Sequence, residues 1–382
     1  MSQATIQRVI AQPVSFAVPP EYQVRLGIGR TVKRDAVIVR VDTSADVSGW
    51  GEAHAARAPT AIAELINSTL APLVVGMDAL DTEGVWERVY RMQLASHGAG
   101  AAAVIGLSGI DLALWDIKGK LAGQPVYELI GGTARDIDAY AGGIALGFTS
   151  PGQLVEEAQA LLANGYNALK LRVGDSVAAD RQRIEAVRDA LGLAVNIVVD
   201  ANTAYSLDDV TALAPVFEAN NIGWLEEPFP AHDYKRYKLA AAITDTPLAA
   251  GENHYTRFDF ERARDDGAIT VWQPDLSKTG GLTEGLRIAR LAADAGIQIH
   301  PHTSLTGLNM AASLHLLCAI PNGGYFEADV SRFNPFRDTL CEPPLGAPES
   351  ATYRPPDGPG LGLTVDEAVL RDAVAIAGPG YV

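Results

Sequence analysis

Three carboxylates in this sequence are evenly spaced, and each follows a short apolar run. Asp200 ends NIVVD, Glu226 ends GWLE, and Glu252 follows LAAG. Both intervals are 26 residues, about the length that one strand, one loop and one helix occupy in a barrel of alternating βα units. Carboxylate oxygens suit a hard divalent cation such as Mg²⁺ better than Zn²⁺, which favours nitrogen and sulfur. The spacing therefore predicts a Mg²⁺ site, with Mn²⁺ as the alternative ion, at one end of a parallel barrel.

Further polar residues stand at or just past the ends of neighbouring apolar runs; they are Lys170, Arg172, Asn202, Asp275, His302 and Glu327. Catalytic groups in barrels of this type come from the C-terminal ends of several strands. Buried charges in such a cluster are costly unless a metal ion or a charged partner compensates them. We therefore interpret the whole set as an active site rather than as structural ion pairs.

Asp275 and His302 are one βα unit apart, so they can pair across adjacent strands. A carboxylate in that position orients the imidazole and raises its basicity, as an acid–base catalyst requires. The alternative is that His302 only satisfies a loop carbonyl. His300 has the same strand parity but lies deeper in the strand, and we expect it to be a structural residue of the barrel interior.

Lys170 and Arg172 share one strand face because side chains alternate along a strand. Two cations beside the carboxylates can bind a substrate carboxylate or stabilise an enolate; the alternative is a pair of salt bridges to neighbouring acids. Asn202 is either a hydrogen-bond donor to substrate or an ordinary loop asparagine. Glu327 is either a protonated acid that contacts a substrate carboxylate or a charge at the rim. Glu227 is expected to alternate away from the site.

The elements that position these residues follow from the pattern of the chain. From residue 4 to about 53 the sequence alternates as in an antiparallel sheet, interrupted by the loop AVPPEYQVRLGIGR, and from about 60 to 132 apolar residues recur at helical spacing. From Asp138 onward, eight short apolar strands alternate with amphipathic helices. One helix, SLDDVTALAPVFEAN, begins with a capping-box pattern at Ser206 and Asp209. Eight strands with intervening helices favour a closed α/β barrel.

Composition and charge exclude several classes of function. The net charge of −16 argues against a nucleic-acid partner, because phosphate binding needs a basic surface. No apolar run reaches the roughly 18 residues that span a membrane, and the N-terminus MSQATIQRVIAQPVSF lacks the layout of a secretory signal. Cys318 and Cys341 are too few for a disulfide framework. We therefore expect a cytoplasmic location and no membrane partner, with Cys318 as a small buried hydrophobe.

The motifs that carry these residues resemble the enolase superfamily, and specifically its mandelate racemase-like group, the mandelate racemase/muconate lactonizing enzyme family. The resemblance runs nearly from end to end, through SGIDLALWDIKGKLAGQPVYELIGG, ALKLRVG, VVDAN, WLEEPF, GEN, QPDLSKTGG, HPH and YFE. It implies a modified (β/α)₇β TIM-type barrel under an α+β capping domain formed by the N-terminal segment and the C-terminal tail. The predicted divisions are 1–132 for the capping domain, 133–345 for the barrel and 346–382 for the returning segment.

The resemblance also implies one Mg²⁺ per subunit on Asp200, Glu226 and Glu252. In the reaction that it implies, the metal binds a substrate carboxylate, a base removes the α-proton, and an enediolate forms; a Lys or His base with Mg²⁺ is the general pattern of this superfamily. Carried over residue by residue, His302 matches the base and Asp275 its partner. Lys170 matches the first lysine of a K-x-K motif, and Glu327 matches the carboxylic acid beside the intermediate.

The sequence departs from that pattern at Arg172, which replaces the second lysine. Arginine does not give up its proton near neutral pH, so a two-base racemase loses one base. The remaining base, His302, predicts elimination of water from an aldonate or aldarate to a 2-keto-3-deoxy acid. The alternatives are a racemase or epimerase, a cycloisomerase acting on a hydroxy acid, uronate or lactone, and a non-catalytic relative. Lys278 is expected to be a loop lysine.

The expected partner is a small carboxylate substrate. Its other contacts are assigned to the capping domain, at Tyr22, Arg25 and His54. The resemblance further implies a homo-oligomer, from a dimer to an octamer.

Overall fold

The computed structural model describes residues 4–97, 100–303, 305–345 and 351–382. The predicted division at residue 346, and the part of the linker EPPLGAPES that spans 346–350, lie outside the described residues. The described chain forms two separate larger sheets, a three-stranded antiparallel sheet near the N-terminus and a parallel barrel sheet after it.

The N-terminal sheet carries the alternating segments predicted as strands. Its strands are Ile6–Ala17, Lys33–Thr43 and Ser48–His54, with Lys33–Thr43 in the middle and both pairings antiparallel. The segment predicted as a loop between the first two strands also has structure. It contains a 3₁₀ turn at Pro20–Tyr22 and a small hairpin in which Arg25–Leu26 pairs with Gly29–Arg30.

The predicted helical region, which follows this sheet, forms helices with bounds Pro59–Leu65, Ile66–Leu70, Ala71–Val74, Thr82–Val89, Tyr90–Leu94, Ala95–His97, Ala101–Ala122 and Val126–Leu129; the second and fifth are π-helical turns. The long helix Ala101–Ala122 is buried over most of its length. It packs on strand Ser48–His54 and on the barrel helix Gly281–Asp294. Contact with both parts explains why most of its sequence is apolar and why its buried carboxylates, Asp111 and Asp116, accept backbone hydrogen bonds.

Strand Ser48–His54 meets helix Ala101–Ala122 backbone to backbone at Gly51. A Cβ on Gly51 would lie 2.8 Å from Ala113 N and closer still to Gly109 O. Because backbone atoms cannot move aside, we expect Gly51→Ala to destabilise the protein by about 3 kcal/mol, measured as a shift in urea unfolding. Gly152→Ala is the matched control, since nothing lies within 4 Å of a Cβ there. Equal unfolding midpoints for the two variants would contradict the close approach.

The barrel consists of eight parallel strands with a helix in each of the seven connections. The strands are Ile137–Gly142, Ala168–Arg172, Asn196–Asp200, Ile222–Glu226, Leu248–Ala250, Val271–Trp272, Gln298–Ile299 and Phe326–Asp329, called the first to eighth barrel strands below. The helices are Pro151–Ala163, Val177–Leu191, Leu207–Ala219, Tyr234–Ala241, Thr256–Asp266, Gly281–Asp294 and Gly307–Ala319. The predicted (β/α)₇β barrel is confirmed, and so is the capping box of Ser206 and Asp209.

The barrel sheet closes on itself through two contacts. The eighth strand pairs with the first in parallel register, and a bridge between Ile299 and Gly323 joins the seventh strand to the segment that leads into the eighth. The interior is filled by a small apolar cluster that includes Tyr140, Val198 and Trp224. Neighbouring strand ends are thereby held at one face of the barrel.

His300 belongs to this interior, as predicted. Its Nδ1 accepts a hydrogen bond of 2.9 Å from the Tyr325 backbone N–H, and its ring centroid lies 5.1 Å from that of Trp224. Cys318 is buried, also as predicted. Neither residue is available for chemistry at the strand ends.

The C-terminal segment contacts both larger sheets. Its elements are the helix Pro335–Asp338, the strand pair Cys341–Glu342 and Thr364–Val365, the strand Thr352–Tyr353 on the first barrel strand, and the helix Glu367–Asp372. The chain then reaches the N-terminal hairpin, where Arg30 N–H donates to Val382 O at 2.7 Å. In the described ranges, no helix is long and apolar enough to cross a bilayer.

Candidate active site

A cavity of about 470 Å³ lies between the C-terminal ends of the barrel strands and the N-terminal sheet. Residues that line it from the barrel side include Arg172, Asn202, Glu227, Glu252, Asn253, Tyr255, Lys278 and His302. Residues that line it from the N-terminal and C-terminal segments include Leu26, Ile28, Lys33, Arg34, Asp35, His54, Arg57 and Tyr381. Its volume is in the range of small-molecule sites.

Lys170 lies on the second barrel strand, fully buried among three carboxylates. Its Nζ is 2.9 Å from Glu226 Oε1, 2.8 Å from Glu327 Oε1 and 3.6 Å from Asp200 Oδ2. Burial by itself lowers the pKa of this lysine, but the charges of Glu226 and Glu327 outweigh that effect and raise it above the usual value. Lys170 is therefore a fixed positive charge below the cavity.

Arg172 shares the strand face of Lys170, as alternation predicts. Its Nη1 donates to Asp200 Oδ2, and its Nη2 donates to the carbonyl of Gly143. Asn202 holds the same carboxylate from the other side, through its backbone N–H at 2.8 Å and its Nδ2 at 3.2 Å. Asp200 is thus fixed between a guanidinium and an amide.

Glu226 ends the fourth barrel strand directly beside Asp200, its register partner on the third. Its Oε2 accepts from Gln273 Nε2 at 2.7 Å and from Trp224 Nε1 at 3.2 Å. Burial raises the pKa of Glu226 to about 7, and the charge of Lys170 offsets only part of that rise, since Asp200 and other carboxylates repel a further negative charge. The site therefore holds negative charge that its own cations do not fully neutralise.

His302 pairs with Asp275, as the one-unit spacing predicted. The two residues are joined by a 2.8 Å contact between His302 Nδ1 and Asp275 Oδ2. The other carboxylate oxygen of Asp275 accepts from the backbone N–H of Ser277 at 2.8 Å and from Asn309 Nδ2 at 3.0 Å. Because the carboxylate is an acceptor held from both sides, it orients Nδ1–H and leaves Nε2 directed away from Asp275.

Glu252 lies beside His302 Nε2, with 2.7 Å between that nitrogen and Glu252 Oε2. Its other oxygen is 3.6 Å from Lys278 Nζ. Burial opposes the ionised form, but the charges of His302 and Lys278 hold the pKa of Glu252 well below its usual range. Asp275 behaves similarly: burial raises its pKa, and contact with His302 lowers it to about 2.

Glu327 is fully buried, so the alternative of a rim charge is wrong. Its oxygens accept from Gly143 N–H at 3.2 Å and Thr303 N–H at 3.3 Å. Burial raises its pKa, yet the charges of Lys170 and His302 lower it to a net value below the ordinary one. The neighbouring cations therefore favour the ionised form of Glu327, and its role as a protonated acid beside the substrate stays a prediction.

Two residues assigned to substrate contact do not line the cavity. Tyr22 instead stacks its ring on Phe333, with centroids 5.8 Å apart. Arg25 is exposed, and its backbone carbonyl accepts from Phe148 N–H at 2.8 Å. The hairpin turns the apolar residues Leu26 and Ile28 towards the cavity in their place. The third assigned residue, His54, does line the cavity; burial and the charge of Lys278 lower its pKa to about 3, so it is neutral.

Two residues line the cavity that the sequence pattern does not assign to the site, Glu227 and Lys278. Glu227 was expected to alternate away from the site, but its φ of 36° breaks the strand geometry, and its oxygens accept from Asn253 Nδ2 at 2.8 and 3.1 Å. Lys278 was expected to be a loop lysine, but a turn closed by its N–H to Asp275 O at 2.9 Å buries it beside Glu252. The only local sequence features that could have identified these two cavity residues are the second glutamate of WLEEPF and the lysine that follows QPD.

The carboxylate set fits a hard divalent cation. Asp200, Glu226 and Glu252 offer only oxygen donors at consecutive strand ends. Burial is the main cause that raises the pKa of Glu226, and repulsion by Asp200, Glu327 and Glu252 adds to it; a divalent charge would relieve that repulsion. Within the described ranges, no three His, Cys, Asp or Glu side chains converge as a metal centre requires. Each carboxylate is instead drawn to a cation: Asp200 to Arg172, Glu226 to Lys170, and Glu252 to His302 and Lys278.

Family models match most of the chain. Residues 10–131 match the mandelate racemase / muconate lactonizing enzyme N-terminal domain, and residues 153–369 match the enolase C-terminal domain-like model. Among characterised relatives, a D-galactarolactone cycloisomerase from Agrobacterium fabrum is 32% identical over 89% of this chain and 91% of the relative. A D-galactonate dehydratase from Ralstonia pickettii is 33% identical over 87% and 90%.

Solved structures of other proteins superpose on this chain over nearly its whole length. An enolase superfamily member from Polaromonas sp. JS666 superposes with a TM-score of 0.96 at 52% identity, covering 99% of this chain and 100% of that one. A racemase from Streptomyces coelicolor A3(2), solved with bound magnesium, has a TM-score of 0.87 at 27% identity, covering 96% and 99%.

Proposed function

Because this chain belongs to the mandelate racemase / muconate lactonizing enzyme family of the enolase superfamily, we propose that it is a Mg²⁺-dependent sugar-acid dehydratase. Its substrate is an aldonate or aldarate, and its product is a 2-keto-3-deoxy acid. The observation that carries the proposal is the Asp275–His302 pair in a cavity that is also lined by an arginine, Arg172, at the position where a two-base enzyme of the family has a second lysine.

Asp200, Glu226 and Glu252 are the residues that hold the metal in this proposal. When bound, Mg²⁺ supplies positive charge beside the substrate carboxylate and so lowers the pKa of the adjacent C–H group. Lys170 adds a fixed positive charge on the same side, because three carboxylates keep it protonated. In this proposal Asn202, which lines the cavity beside Asp200, donates a hydrogen bond to the substrate.

His302 is the general base. Its Nδ1–H is engaged by Asp275. Its Nε2 lies 2.7 Å from Glu252 Oε2 in the structure, and would take the α-proton of the substrate when Glu252 instead holds the metal. The pair of electrons from the broken C–H bond delocalises towards the substrate carboxylate, where positive charge stabilises it. The carboxylate of Glu327, 4.0 Å from Nε2, then stabilises the imidazolium.

The protonated His302 next acts as the general acid. It returns its proton to the β-hydroxyl group, the C–O bond breaks, and water leaves as a double bond forms between the α- and β-carbons. The resulting enol tautomerises to a 2-keto acid, so the net change is the loss of one water. Arg172 remains protonated throughout, so it neither removes nor returns a proton.

The experiment is a panel of sugar acids with Mg²⁺ in D₂O, assayed for 2-keto acids and for deuterium in recovered substrate. We expect a 2-keto acid to form. Any deuterium in the recovered substrate should be at an α-carbon that has kept its original configuration. Formation of the α-epimer without keto acid would contradict dehydration and favour an epimerase. If no hexonate and no hexarate gives a 2-keto acid, the proposal is refuted.

A cycloisomerase is the second candidate, because one characterised relative of similar identity acts as one. His302 can be the base in a cycloisomerase as well. After the α-proton of a lactone is removed, the ring oxygen can leave instead of a hydroxyl group. Turnover of a sugar-acid lactone that exceeds turnover of the open acid would favour this function.

Assembly into a homo-oligomer, from a dimer to an octamer, stays a prediction. Light scattering of the purified protein measures the number of subunits directly, and a monomer at micromolar concentration would contradict it.

A further inference from the structure

Cations that line the cavity are almost all neutralised by carboxylates. Lys33 Nζ lies 3.1 Å from Asp35 Oδ2, and Arg34 Nη2 lies 2.6 Å from Asp329 Oδ2. Arg172 is paired with Asp200, and Lys278 is 3.6 Å from Glu252. Each of these four cations is therefore paired with a carboxylate of the protein.

Arg57 differs from the other cations of the cavity. Its side chain is exposed and lines the cavity, and in the described part of the chain it pairs with no carboxylate. Its guanidinium carbon lies 5.1 Å from the centroid of the Tyr381 ring. A guanidinium held by an aromatic face keeps its N–H donors available for an anion that enters the cavity.

The backbone holds Arg57 in an unusual conformation. Ala56 and Arg57 have φ angles of 47° and 59°, both in the left-handed region, which is uncommon for residues other than glycine. Strain of this kind concentrates at functional sites. Two hydrogen bonds fix the turn, one from Ala56 N–H to His54 Nδ1 at 3.0 Å and one from Ala58 N–H to Ala55 O at 2.8 Å. The position of Arg57 is therefore determined by the turn.

Tyr381 connects Arg57 to the barrel side of the cavity. Its backbone is held in place because Val382 and Arg30 exchange hydrogen bonds of 2.7 and 2.9 Å. Burial raises the pKa of Tyr381, while the charges of Arg34, Arg172 and Arg57 lower it and that of Glu252 raises it. Tyr381 lines the same cavity as Arg57, Arg172 and Glu252.

We propose that Arg57 and Tyr381 bind a second carboxylate at the far end of the substrate, which makes the substrate an aldarate rather than an aldonate. The inference rests on the proposed function, since the first carboxylate is the one bound at the barrel end. Arginine pairs with carboxylates through two parallel hydrogen bonds, and the Tyr381 hydroxyl adds a third donor. A terminal phosphate shares the anionic chemistry, so a phosphorylated sugar acid is included in the test.

The test compares kcat/KM for matched pairs, galactarate with galactonate and glucarate with gluconate, and includes 6-phosphogluconate. We expect the diacid of at least one pair to be preferred by more than about 10-fold. Arg57→Ala is expected to lower the diacid-to-monoacid ratio by about 10- to 100-fold, mainly through KM, because a charge-assisted hydrogen bond is lost. Tyr381→Phe, which keeps the ring, is expected to lower it by less. Arg88→Ala, an exposed arginine outside the cavity, is the matched control and should leave the ratio unchanged.

Three results would overturn the inference: a monoacid preference in the native protein, an unchanged ratio in Arg57→Ala, or a preference for the phosphorylated acid. Failure of the proposed function is distinguished by calorimetry on an inactive His302→Asn protein. We compare galactarate binding to His302→Asn with binding to the double variant His302→Asn/Arg57→Ala. Binding to the single variant that is tighter by at least about 10-fold supports the second carboxylate site, even if no keto acid forms. Equal binding by the two proteins overturns it.

Discussion

A His302→Asn variant is expected to lose about 10²- to 10⁴-fold in kcat, the usual contribution of a general acid–base residue. Asparagine retains a polar group near the position of Nδ1, so Asp275 keeps a hydrogen-bond partner besides Ser277 and Asn309. The variant lacks the Nε2 atom that accepts the α-proton. Binding is therefore expected to change less than turnover, and the measurement is the rate of 2-keto-acid formation at saturating substrate together with KM.

His232→Asn is the matched control, because His232 is exposed and does not line the cavity; its kcat should equal that of the native protein. Exchange of the substrate α-proton with D₂O gives a second readout. A His302→Asn protein that still exchanges this proton at the native rate would show that another group is the base.

A Glu226→Gln variant is expected to lose at least about 100-fold in kcat/KM and to need much more Mg²⁺ for half-maximal activity. Changes to groups that only orient metal ligands already cost 10- to 100-fold, and this change removes a proposed ligand itself. Lys170 keeps Glu327 at 2.8 Å, so no buried cation is left without a partner and the fold is expected to hold.

The measurement is a Mg²⁺ titration of activity, paired with calorimetric titration of the metal into the protein without substrate. Glu185→Gln is the control, since Glu185 is exposed on the barrel helix Val177–Leu191. If Glu226→Gln needs the same Mg²⁺ concentration for half-maximal activity as the native protein, Glu226 is not a ligand of the metal. Thermal unfolding of both variants separates loss of metal from loss of structure.

Much of the site was predictable because it depends on strand parity. Lys170 and Arg172 were placed on one face, and the structure has both beside the carboxylates. Asp275 and His302 were paired from one interval of the repeat, and their side chains are in contact. In a regular strand the direction of a side chain follows from its position, so residue types and spacing suffice.

Glu227 and Lys278 were missed because each lies just outside a regular strand. The positive φ of Glu227 redirects its side chain, and the turn after Asp275 buries Lys278. Parity does not apply in such positions. Tyr22 was misplaced for a related reason, since its partner Phe333 is more than 300 residues away in the sequence.

By itself, the sequence determined the barrel and the carboxylates, His302 and Asp275 at the strand ends, because neighbouring residues encode these features through hydrophobic period and spacing. The family was indicated separately, by the resemblance of its motifs. Only the tertiary structure decided what faces the carboxylates across the cavity: Arg57 from a strained turn and Tyr381 from the C-terminal segment. Their meeting depends on contacts between segments far apart in the chain, such as Arg30 with Val382, and no local pattern encodes such a contact.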